Sequence, residues 1–68
     1  MMKKLSISLS GHLTSVSLEP EFIQELETIA KKQKRSVASI ISSIDLNRAA
    51  SSNLSSAIRI WILHELKK

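Results

Sequence analysis

The sequence predicts a mostly α fold that carries a short β-strand. Three observations lead there. Residues 12–18, His-Leu-Thr-Ser-Val-Ser-Leu, alternate with a period of two, so Thr14, Val16 and Leu18 share one face. Pro20 follows almost at once, at a position suited to the first turn of a helix, where its missing N–H costs nothing. Beyond it, apolar residues recur at helical spacing in three successive stretches.

The elements follow in order. Residues 1–4 read as a basic arm carrying Lys3 and Lys4. Leu5-Ser-Ile-Ser-Leu9 also alternates with period two, and Ser10-Gly11 interrupts it with the only glycine of the chain. Two readings are open. Residues 5–9 fold back on the 12–18 strand as a hairpin, or they extend the same strand past a bend. A lone amphipathic strand needs a partner in either case, because both its edges are otherwise unpaired.

The first helix is expected over about 20–32, with Phe22, Ile23, Leu26, Ile29 and Ala30 as its apolar stripe. Glu21 and Glu25 lie toward its start and Lys31 and Lys32 at its end, the order that the helix dipole favours. Ser36 is a good N-cap for a second helix over about 37–49, with Val37, Ile40, Ile41 and Ile44 facing inward. Residues 49–53 read as a break, with Ser52 or Asn53 capping a third helix over about 54–67. That helix is apolar on nearly every side: Leu54, Ala57, Ile58, Trp61 and Ile62 on one face, Ile60, Leu63 and Leu66 on others. Nothing else in so short a chain is expected to cover it, which points to a subunit interface, most simply a two-fold dimer.

Size and composition exclude several function classes. The chain has 68 residues, one domain at most, and a core this small is marginal without a staple or a partner. It has no cysteine, hence no disulfide and no thiolate metal site. His12 and His64 are far apart and lack the companion ligands that a metal needs, so no cofactor is expected. A single glycine rules out a Gly-rich phosphate loop, and a substrate pocket beside a core of this size is improbable, so no enzyme is expected. No apolar run reaches the length of a membrane span, and the N-terminus does not read as a signal peptide. The expected location is the cytoplasm. Ten Lys plus Arg against six Asp plus Glu give +4, a balance suited to double-stranded DNA or simply to solubility.

Strand, immediate step into a helix, basic turn and Ser-capped second helix make a constellation that resembles the ribbon-helix-helix family, the Arc- and MetJ-like DNA-binding proteins. The strings Gly11-His-Leu-Thr-Ser-Val-Ser-Leu-Glu-Pro-Glu-Phe22 and Asn53-Leu-Ser-Ser-Ala-Ile-Arg59 resemble a narrower group of short bacterial members, and extend the likeness over most of the chain.

The resemblance implies an intertwined homodimer in which two chains share a two-stranded antiparallel β-ribbon, with Thr14, Val16, Leu18, Ile41, Ile58, Trp61 and Ile62 at the dimer interface. It implies a transcriptional regulator whose ribbon enters the major groove, with Leu13, Ser15 and Ser17 toward base edges. Ser36, Val37 and Ser39 at the start of the second helix would meet phosphate, where N–H groups and the dipole favour anions. Lys34, Arg35, Lys3 and Lys4 would add charge there. Two positions depart from the family's pattern. Leu13 stands where the narrower group often has a basic residue, and Lys34 where many members have glycine between the helices. The alternative function is a protein-interaction module, antitoxin-like or a scaffold, whose protein partner docks through the third helix.

Overall fold

The computed structural model describes residues 1–9, 11–48 and 53–68. Strand β1, Lys3–Leu9, pairs antiparallel with strand β2, His12–Leu18, and three helices follow: α1, Pro20–Gln33; α2, Val37–Asn47; and α3, Leu54–Leu66.

The hairpin resolves the first open question. Residues 3–9 fold back rather than extend β2, and the register sets Leu5 against Val16, Ile7 against Thr14 and Leu9 against His12. Two residues join the strands, and Gly11 takes the positive φ of +80° that such tight turns demand. A Cβ at Gly11 would meet nothing within 4 Å, so the requirement for glycine there comes from the backbone alone. The resemblance assigns the second strand of the ribbon to a second chain; within this chain, β2 already has β1 along one edge.

The hairpin's apolar face lies on the helices, β1 against α2 and β2 against α3, while α1 packs on both other helices. Ile7, Leu9, Val16 and Leu18 join Leu26, Ile29, Ala30, Ile40, Ile41, Ile44, Ile58 and Ile62 in one core. Each fully buried Leu or Ile contributes about 1.5–3 kcal/mol by leaving water.

This core corrects one expectation about α3. Ile58 and Ile62 are 0% exposed inside the single chain, so its own hairpin and helices do cover that face. The short chain achieves this because β1 supplies a second row of aliphatics. What stays outside is a different set, Ile60, Leu63 and Leu66, each about half exposed at 53%, 49% and 56%.

Local signals set the helix ends. Pro20 occupies the first turn of α1, and the N–H groups of Phe22 and Ile23 bond back to the Glu19 carbonyl. α1 closes on Lys34 in the left-handed conformation, φ 54° and ψ 42°. There the Arg35 N–H donates to the Ala30 carbonyl at 3.0 Å, the long bond of a Schellman closure. Ser36 caps α2, its Oγ accepting from the Ser39 N–H at 3.0 Å. Asn53 caps α3, its Oδ1 accepting from Ser55 N–H at 2.8 Å and Ser56 N–H at 3.3 Å. Ser52, the other expected cap, and Ala49, the expected end of α2, lie outside the described residues. Two side-chain ties join α3 to the ends of α1: Arg59 to Glu19 at 2.9 Å, and Gln33 to Glu65 at 2.9 Å.

Candidate nucleic-acid interface

The outward face of the ribbon follows from the register. In an antiparallel ladder, opposed residues point to the same side. With Leu5, Val16, Ile7 and Thr14 inward, the pairs Lys4–Ser17, Ser6–Ser15 and Ser8–Leu13 face out. Lys4, Ser6, Ser8 and Ser15 are exposed, Ser17 is half-buried, and Leu13 stands 85% exposed. Ser15, Ser17 and Leu13, expected on one face, are on one face. Ser6 and Ser8 lie beside them and were not among the expected readers. Their signal was present, since Leu5-Ser-Ile-Ser-Leu9 already places both serines on one side; only the direction of the segment was open.

The four hydroxyls matter because each both donates and accepts hydrogen bonds, which suits any base edge. Leu13 offers the apolar contact that matches a thymine methyl. The two lysines of the arm part company. Lys4 is on the serine face opposite Ser17, whereas Lys3 is opposite Leu18 on the other face. Lys3 borders a shallow depression with Pro20, Ile23, Gln24 and Glu27.

The second group of expected residues sits at the α1–α2 junction. The first N–H groups of a helix have no partner within it, and they carry the positive end of its dipole. At α2 the Ser39 N–H is taken by Ser36, while the N–H groups of Val37 and Ala38 stand between them in the same first turn. Lys34, exposed at the junction, adds a charge. Arg35 turns the other way. Its guanidinium runs along α2 and donates to the Ser39 carbonyl at 3.1 Å, the Ser39 Oγ at 3.2 Å and the Ser43 Oγ at 2.8 Å. It braces the helix start, and its charge lies over the first two turns of α2.

The residues expected at a dimer interface fall in two classes. Val16, Leu18, Ile41, Ile58 and Ile62 are buried within the chain, and Thr14 and Trp61 are half-buried. Trp61 lines an open groove of about 380 Å³ between α2 and α3, with Ile44, Ala57, Ile60 and His64 along its walls. Among the described residues, no cluster of three or more His, Cys, Asp or Glu is placed to hold a metal ion. Among them too, no helix is long and apolar enough to cross a membrane.

A two-stranded antiparallel ribbon that steps directly into a helical layer, with a polar face turned away from that layer, defines the class of β-ribbon proteins. The family is equally plain: the model of the ribbon-helix-helix domain matches residues 2–66, and the chain belongs to that family. Such domains are typically DNA-binding transcription regulators, generally without enzymatic activity, and usually bind DNA as dimers. Comparison with curated proteins and with solved structures gives no match.

Proposed function

We propose that this protein is a sequence-specific DNA-binding transcription regulator of the cytoplasm, acting as a homodimer, that lays the outer face of its ribbon in a major groove. One observation carries this reading. The ribbon divides into an apolar face spent on the core and an outer face of Lys4, Ser6, Ser8, Ser15 and Ser17 with nothing apolar but Leu13, in a chain of charge +4. Base contacts would come from Leu13, Ser15 and Ser17. Phosphate contacts would come from the start of α2, with Ser36, Val37 and Ser39, and from Lys34 and the arm lysines. Arg35 would contribute its charge from the flank of α2.

The test is duplex binding over a salt series. Neutralising about six phosphates releases counterions and gives a log–log slope of about −5. Binding that is absent at low salt, or indifferent to salt, overturns the reading. Selection from random duplexes then supplies the preferred sequence.

A second reading has its own observation. Ile60, Leu63 and Leu66 leave α3 with apolar surface outside the core, which suits a protein partner as well as a second copy. Loss of partner binding on Leu63→Asp with the dimer intact favours that reading.

A further inference from the structure

We infer that the ribbon which reads DNA is the hairpin of a single chain, β1 with β2, and that Ser6 and Ser8 of β1 are specificity-determining residues beside Ser15 and Ser17. This rests on the DNA-binding reading and deepens it. The family resemblance instead implies a ribbon of two β2 strands from two chains.

Three arguments favour the hairpin. First, β1 is anchored. Ile7 and Leu9 are buried in the core and Leu5 packs against it. Releasing Ile7 and Leu9 alone exposes surface whose burial is worth about 3–6 kcal/mol. Second, β1 is tethered to β2 by two residues, which places it at an effective concentration in the millimolar range; a strand from a second chain at micromolar concentration competes at a disadvantage of about a thousandfold.

Third, the groove has room for two strands only. A major groove is about 12 Å wide and admits a two-stranded ribbon. If β1 stayed in place while β2 also paired with its copy, the result would be four strands. Strands lie about 4.8 Å apart, so the outer axes of that sheet would be about 14 Å apart before side chains are added. A ribbon that keeps β1 and enters the groove is therefore the hairpin. It brings Ser6 opposite Ser15, Ser8 opposite Leu13 and Lys4 opposite Ser17, so half of the reading face belongs to β1.

Two measurements test this. Base preference is measured by selection from random duplexes for the wild type, Ser6→Ala/Ser8→Ala and Ser15→Ala/Ser17→Ala. Both pairs should lower the ratio of preferred to random duplex binding, each by about tenfold for the loss of one good base contact. Relaxation by the β2 pair alone, with the β1 pair at wild-type preference, overturns the proposal and leaves the DNA-binding reading standing. Wild-type protein that binds no duplex removes both. The second measurement needs no DNA. The chain has no cysteine, so Ser6→Cys/Ser15→Cys carries one thiol pair. Directly opposed residues of an antiparallel ladder have Cα atoms about 4.5–5.5 Å apart, within disulfide reach. Mild oxidation should yield a single-chain species with an internal disulfide. A disulfide-linked pair of chains as the main product overturns the hairpin.

Discussion

Arg59 of α3 donates through Nε to Oε1 of Glu19 at 2.9 Å, joining residues that are 40 positions apart. Glu19 is the residue between β2 and α1, so this contact fastens the point where the ribbon enters the helical layer. The same guanidinium carbon lies 5.9 Å from the centre of the Phe22 ring. Glu19's own backbone N–H, and then the Arg59 guanidinium, hold its carboxyl below the ordinary value of 4.5. A depressed carboxyl contributes stability above its unfolded value and loses it as pH falls through the folded one. In Arg59→Met, the Glu19 titration followed by carboxyl NMR should move up toward 4.5 without fully reaching it, because the backbone contact remains. An unmoved midpoint would show that the guanidinium has no part in it.

Lys34 holds a left-handed backbone that costs a side chain about 1–2 kcal/mol, while glycine's extra freedom in the unfolded chain costs about 0.5–1. Lys34→Gly should therefore raise the urea midpoint, a gain of about 0.5–1 kcal/mol. The same change should weaken duplex binding at low salt and flatten its salt slope. The two readouts move in opposite directions, which a general loss of fold does not produce.

Two serviceable caps separate structure from binding. Ser36→Ala and Asn53→Ala each remove the side-chain acceptor of a helix start and should cost about 1 kcal/mol in denaturant unfolding. Duplex affinity should fall for Ser36→Ala and hold for Asn53→Ala once both are compared under conditions of full folding. Equal effects on affinity would detach the start of α2 from phosphate.

The exposed side of α3 is open to a similar contrast. Leu63→Asp should leave the far-ultraviolet spectrum and thermal midpoint near wild type, because Leu63 lies outside the core. Sedimentation should shift from a two-chain mass to a one-chain mass if this surface holds the copies together. Ile62→Asp, one position away and 0% exposed, should not fold.

Much of the architecture was legible before any coordinates. The stripe Phe22, Ile23, Leu26, Ile29 and Ala30, the cap at Ser36 and the cost at Lys34 are properties of short segments, and local physics determines them. The direction of residues 3–9 was not legible, because a glycine at position 11 serves a bend as well as a reversal. The coverage of Ile58 and Ile62 depended on that direction, so it was misjudged with it. The course of Arg35 and the Arg59–Glu19 pair carry no local signature at all: one is a rotamer choice among competing acceptors, the other a meeting across the fold. Of the ribbon's outer face, the β2 half was readable from alternation, and the β1 half became visible only through the pairing of the strands.

The two-residue link at Gly11 also gives the hairpin a parity. Lengthening it by one residue would require β1 to choose between a bulge and a slip, and a slip would turn Ser6 and Ser8 inward and Leu5, Ile7 and Leu9 toward solvent. Lengthening it by two would restore the faces. The chemistry offered to the outside thus depends on whether a loop count is odd or even, a constraint that no substitution on the serine face can relieve.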